Sequence, residues 1–479
     1  HLGSSCSRPP LRLRWSELLD PARGIRQAGC EGARLPRQRG APHLKWPCSS
    51  CRLACCALAR RKRATCLCSP SSGAVAGRTG GAAWDFDAQA LSTTAWSLAP
   101  LLLHDHEPLL ASIASAAIPT ITEFQPRNLA NTPWAFSTLA CTHDPLLQSI
   151  ASASLRRMVD FDTQALQNTA WSLANLERVD QPLLQAIAAS AIPLIAAFPL
   201  SAAVGCEALH SLASGLLSFV WSFSFLRQLT SRLRVALAGS LRASGRAADA
   251  ALRADASGVA ARLLRRARRP ASAALRDTQD IPPSLHLDLK GILVLCKPSG
   301  WEVDGATTDF NSFIGQRLST VLQAMAPPEL RPLSYDEDFD YGFIHRLDVP
   351  SSGLILVGTS FEGLYSIHCQ LNEHAIQREY FIVCHGIAPP ELQQIDARID
   401  IRATLTNERA TVCPCGKPAR TFVKALGHAP WRGNLPCAIS LIGIRIHTGR
   451  RHQIRVHLQS RGHAPASDGR YPVLEVSGC

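Results

Sequence analysis

The chain has 479 residues, is 46% hydrophobic and carries a formal charge of +13, enough apolar sequence for two or three cored domains. The charge is no general nucleic-acid signature: residues 1–80 hold 15 Lys+Arg against 3 Asp+Glu, which leaves the rest near neutral. Nine of the 17 cysteines are scattered outside that segment, which excludes a small disulfide-framework protein and points to reduced intracellular thiols.

In chain order, residues 1–80 are rich in Arg, Pro, Gly and Ser without hydrophobic periodicity, and read as disordered. An Arg-rich, acid-poor start resembles the transit segment of a chloroplast or mitochondrial protein; untranslated or mispredicted sequence would look the same. The first residue is His1 rather than Met, so the chain reads as a fragment. Cys48-x2-Cys51, Cys55-Cys56 and Cys66-x-Cys68 have partial ligand spacing, but no second evenly spaced pair follows and no metal site is expected.

Residues 83–226 repeat. Phe86/Leu91/Trp96, Phe124/Leu129/Trp134 and Phe161/Leu166/Trp171 share one spacing, and Pro108, Pro145 and Pro182 each open a Pro-Leu-Leu run. Proline suits a first helical turn, where its missing N–H would be unpaired anyway, so each repeat reads as two helices. Units this short cannot bury an apolar face alone and must stack into an all-α solenoid. The Phe, Leu and Trp positions are read as interlocking core, with a degenerate fourth unit around Trp221 near Leu226. Length and helix-pair form resemble the octotricopeptide class of organellar RNA-binding repeats. The apolar run Ala208–Leu226 is nominally long enough to span a bilayer. Its serines, His210 and Gly215 assign it instead to a buried helix, with no membrane span.

Residues 227–284 are Ala- and Arg-rich and read as a partly helical basic linker; the patch Arg262 to Arg269 suits either phosphates or a solvated face. From Leu285 to Cys479 the composition predicts an α+β domain around a mixed, largely antiparallel sheet. Its strands are expected at Gly291–Cys296, Leu354–Val357, Glu379–Cys384 and Arg420–Val423. Thr448 is placed to cap a helix over about Arg450 to Gln459.

Five blocks carry this domain's chemistry: Lys297-Pro-Ser-Gly300; His345-Arg346-Leu347-Asp348 with the Pro350–Gly353 turn; Gln377-Arg378-Glu379-Tyr380; Gly416-Lys417-Pro-Ala419; and Thr448-Gly449-Arg450-Arg451-His452-Gln453-Ile454-Arg455. An Asp beside an Arg, leaving a tight turn into a buried strand, is how a fold presents an acid or nucleophile to a cleft. In this order the blocks resemble the RluA-type family of RNA pseudouridine synthases, over roughly Leu285 to Tyr471.

The resemblance implies isomerisation of a uridine in RNA, with no cofactor. Asp348 would act ionised, either attacking the ribose C1′ or removing the C2′ proton. Arg455 would pair with it, and Tyr380 would stack on the uracil. Arg346, His345, Arg450 and Gln453 would bind substrate. The expected partner is RNA, whether rRNA, tRNA or an organellar transcript; the oligomeric state is left open. Ser351 replaces the family's usual Thr, and Gly462 to Tyr471 follows the family's Gly-His-Pro-x-x-Gly-Asp pattern only loosely. The expectation is a domain shortened at its C-terminal end. The rival reading is an RNA-binding adaptor without turnover, and removal of Ala83–Leu226 is expected to cost RNA choice more than chemistry.

Overall fold

The computed structural model describes residues 86–99, 107–198, 205–254, 282–303, 317–401, 409–432 and 436–472. The disorder and cysteine spacings expected in residues 1–80, and the Arg262–Arg269 patch, lie outside the described residues. Among those described, eight α-helices precede the first strand. In one row, α1 (Ala88–Leu98), α3 (Pro126–Thr138), α5 (Thr163–Asn175) and α7 (Cys206–Phe225) pack in succession; α2 (Glu107–Ala117), α4 (Asp144–Arg156) and α6 (Gln181–Ala197) form a second.

Local chemistry repeats with the helices. Asp87 and Asp162 cap α1 and α5 by accepting the N–H of Ala90 and Ala165, each at 2.7 Å, while α3 opens on Pro126. At the other end α3, α5 and α7 close alike: Ala140, Glu177 and Arg227 take positive φ. The following N–H groups of Cys141, Arg178 and Gln228 reach back to Phe136, Leu173 and Phe223 carbonyls. The Phe and Leu positions are core, with Phe124, Leu129 and Leu166 at 0% exposure. The tryptophans depart from the expectation. Trp96 and Trp171 are only half-buried and Trp134 nearly fully so, ring to ring at 6.4 and 6.5 Å, along one margin of the core.

By length and composition α7 is apolar enough to cross a membrane, but it is a core helix here, with Leu209, Leu216, Phe219 and Val220 at 0% exposure. Of the partly helical linker expected over residues 227–284, residues 231–254 form α8 (Ser231–Ala254), a 24-residue helix packed on α6 and α7 and on the helix that follows β3 rather than solvated; residues 255–281 lie outside those described. Its Leu233, Leu237 and Leu241 repeat at four-residue steps and are fully buried.

The C-terminal domain has three strand groups, and every strand pair in them is antiparallel, so the expected mixed sheet is corrected. β1 (Ser284–Leu289), β2 (Ile292–Lys297) and β3 (Gly353–Gly358) form one sheet, with α9 (Leu318–Met325) inserted between β2 and β3 and α10 (Phe361–Asn372) after it. The second sheet runs β4-β9-β8-β5, from β4 (Arg378–His385), β5 (Gln394–Asp396), β8 (Arg420–Arg432) and β9 (Pro436–Ile446). β6 (Ile399–Asp400) and β7 (Thr411–Val412) pair separately, and α11 (Gln453–Ser460) ends the domain. Its Leu458, with Ile442, Ile444 and Val423, forms the core under the second sheet.

The two regions share one core. Leu237 and Leu241 of α8 cluster with Phe361, Leu364 and Tyr365 of α10. Asp249 of α8 caps α10 from outside, accepting the N–H of Phe361 at 2.7 Å and of Glu362 at 3.1 Å. A second joint lies at α5, where Arg398 donates to the Asn175 carbonyl and to Glu177, each at 3.0 Å.

Candidate active site

Asp348 stands on a loop held from three sides. Before it, the Ile344 N–H bonds the Leu356 carbonyl and His345 Nε2 accepts from the Leu356 N–H, laying the approach against β3. Gly342 makes that approach possible: it has φ of 84°, and a Cβ there would lie 2.3 Å from the Gly358 carbonyl oxygen. After it, the Lys297-Pro-Ser-Gly turn clamps the chain. Lys297, fully buried, donates to the carbonyls of Pro298 at 3.0 Å, Val349 at 3.1 Å and Ser351. The Gly300 N–H and Ser299 hydroxyl add bonds to Val349 and Pro350, both at 2.8 Å. Burial lowers the Lys297 ammonium to about 8 against the pull of the Asp348 charge.

Arg455, on α11, donates through Nη1 to Asp348 Oδ2 at 2.8 Å. The rest of its fork is bidentate to Asp468, with Nε–Oδ2 and Nη2–Oδ1 both at 2.6 Å. Burial would lower the guanidinium, but the Asp468 bonds and the Asp348 charge leave it raised. Burial would likewise raise Asp468, and Arg455 together with the N–H groups of Tyr471 and Arg470 hold it below the usual carboxylate range. The fully buried Tyr471 ring lies 4.8 Å under the guanidinium, its hydroxyl bonded to the Ala410 N–H and His452 Nδ1 at 2.9 Å.

Helix α11 starts later than expected. His452, at φ of 57°, is its N-cap, and Thr448 instead accepts the Arg420 N–H and donates to Gln453 Oε1. Gln453 is 2% exposed; it also accepts the Arg450 N–H and donates to Arg420 and Thr421. Gln453 lines the cleft with Asp348, while its amide is engaged inside the protein, where it organises the loop that carries Arg450. His345 is corrected in part, since β3 holds its Nε2; burial lowers its pKa to about 4, and Nδ1 has no partner among the described residues.

Tyr380, on β4, and Arg346 line the same cleft of ≈ 1520 Å³ as Asp348, Arg450 and Arg455. Burial raises the Tyr380 phenol; the nearby Arg378 opposes this and Asp348 reinforces it. Arg378, beside Tyr380, donates to the His447 carbonyl at 3.1 Å. The sequence reading gave no role to Asp468, Lys297 or Arg378. A basic residue two before Tyr380, and an Asp thirteen after Arg455, were the available signals. The Cys413 and Cys415 sulfurs face one another next to Asp400.

Residues 291–460 match the RNA pseudouridylate synthase family. Over 182 residues the chain is 33% identical to the ribosomal large subunit pseudouridine synthase C of Escherichia coli (strain K12), an overlap of 38% of this chain and 50% of that protein. The synthase C of Buchnera aphidicola is 30% identical, with 38% and 51% covered; the synthase D of Neisseria meningitidis is 31% identical over 195 residues, with 40% and 47% covered. The chain thus spans about half the length of the curated relatives it matches. Among solved structures, human RNA pseudouridylate synthase domain containing 1 aligns with 40% of this chain and 70% of its own, at 22% identity and a TM-score of 0.31. Residues 291–460 are a domain of the RNA pseudouridylate synthase family.

Proposed function

We propose that the chain isomerises uridine to pseudouridine in RNA, and that its helical region is a repeat solenoid that brings RNA to the C-terminal domain. The observation that carries this is the Asp348–Arg455 pair at 2.8 Å, lining one cleft with Tyr380 in a domain of that family. The uridine must leave its stack to enter, at a cost of about a few kcal/mol that is lowest in loops and single strands. Arg455 holds Asp348 Oδ2, and Asp348 Oδ1, which makes no hydrogen bond among the described residues, faces the ribose. That oxygen either attacks C1′ or takes the C2′ proton. Tyr380 stacks on the uracil, and Arg346 holds the neighbouring phosphate or fills the space the base leaves.

The RNA is rRNA, tRNA or an organellar transcript, and the Arg-rich residues 1–80 support an organelle. Tritium release from RNA labelled at uridine C5 tests the activity. The unaltered chain should release tritium and Asp348→Ala should release none while still binding RNA. Binding without release by the unaltered chain would replace this reading with that of an adaptor.

A further inference from the structure

We infer that the single-stranded RNA flanking the target uridine runs along the tryptophan row of the helical region, its bases stacked on the half-buried rings of Trp96 and Trp171. This rests on the RNA reading above and adds the path.

Three observations carry it. Trp96, Trp134, Trp171 and Trp221 line the cleft that holds Asp348, Tyr380 and Arg455, so a strand leaving the reaction centre meets them without crossing open surface. They form a row: the Trp96–Trp134 and Trp134–Trp171 centroids are 6.4 and 6.5 Å apart with planes tilted by 31° and 35°, which sets Trp96 and Trp171 on either side of the buried Trp134. Ring pairs that served only to fill a core would have no need of a shared open margin; Leu91, Leu129 and Leu166, with Phe124 and Phe161, already fill it.

The third observation is how polar and charged groups divide between the walls. Among the described residues lining the cleft, the helical wall has no charged side chain; beside the rings it offers the amides of Gln164 and Asn168, bonded to each other at 2.8 Å. Neutral amides next to π-faces suit base edges rather than phosphates. The opposite wall has an excess of cations, with Arg346, Arg378 and Arg450 among six Lys and Arg against the four carboxylates of Asp340, Asp348, Glu379 and Asp400. Arg450 also closes the row, its guanidinium 5.8 Å above the Trp221 ring. A ligand with flat apolar faces on one side and a run of negative charge on the other is a single strand of RNA.

The test uses the full chain and a fluorescent single-stranded RNA of roughly 12 nucleotides containing one uridine. Trp96→Ala and Trp171→Ala should each weaken binding by roughly 5- to 100-fold, and Trp171→Phe should recover most of that loss. With 4-thiouridine in the RNA, ultraviolet cross-linking to the unaltered chain should label residues of α1, α3, α5 and α7. That arm decides even where an alanine variant does not fold. Cross-links confined to the C-terminal domain, alanine variants that bind as the unaltered chain does, or equal affinity for a perfect duplex would each overturn the inference. Binding is read apart from turnover. A chain that holds RNA through the tryptophans but isomerises nothing removes only the synthase reading.

Discussion

One guanidinium in the cleft serves two carboxylates. Asp468 takes two of the Arg455 donors and so fixes the plane from which Nη1 reaches Asp348. Asp468→Asn keeps the shape but weakens this grip, and kcat should fall by up to about 10²-fold with KM little changed, because a small misplacement of a reacting group costs about that much. Arg455→Lys, which replaces a fork by a point charge, should cost more; single-turnover tritium release ranks the two. Lys297 acts at one remove. Lys297→Met leaves buried carbonyls without their donor and should lower stability by about 1–3 kcal/mol in urea unfolding. Asp348, Arg455 and Tyr380 were legible because each sits inside a block whose spacing is constrained on both sides. Asp468 was not, since it lies in the one segment where the pattern is loose. The bonds of the Gln453 amide were not legible either: a motif gives a residue's address but not which partners its side chain takes.

Helix α8 has the composition of a linker and the packing of a core helix. Alanine and arginine satisfy a solvated segment as well as a buried one, so only the four-residue recurrence of Leu233, Leu237 and Leu241 distinguished them. Its contact with α10 is close: a Cβ on Gly245 would come within 2.5 Å of the Glu362 Cα. Gly245→Val should therefore cost more than the ~1–3 kcal/mol usual for overpacking that side chains can absorb, since backbone must shift. Asp249→Ala removes a cap and should cost about 1 kcal/mol; both are read from urea midpoints. The helices α1 to α6 were legible because Pro-Leu-Leu and Phe-x4-Leu-x4-Trp recur at fixed steps in the sequence. Periodicity cannot separate a buried ring from one at the core's margin, which is why the tryptophans read as core.

Across the molecule, histidines gather where α7 meets the C-terminal domain. His210 shares a hydrogen bond with the Tyr365 hydroxyl, and His374, bonded to Ser224, stacks on His447 at 3.6 Å. Burial lowers His210 to about 4; burial and surrounding cations, Arg378 and Arg420 among them, lower His374 to about 3 and His447 to about 4. Unfolded, each would take a proton near 6.5, so between there and about 4 the unfolded chain binds more protons and stability falls as the pH falls. Urea midpoints measured from pH 7 to 4 should decline steadily; a flat profile would contradict the burial of these rings.

Because a carboxylate on α8 finishes the first turn of α10, the chain has no clean seam between its halves. A piece beginning at Leu285 would leave bare N–H groups at Phe361 and turn an oily flank of Phe361, Leu364 and Tyr365 toward water. Excising residues 83–226 would do similar harm, since it strips α7 from the same flank. Such pieces would clump, and any fall in RNA choice measured on them would report clumping; point changes along α1, α3 and α5 ask the question without opening that flank.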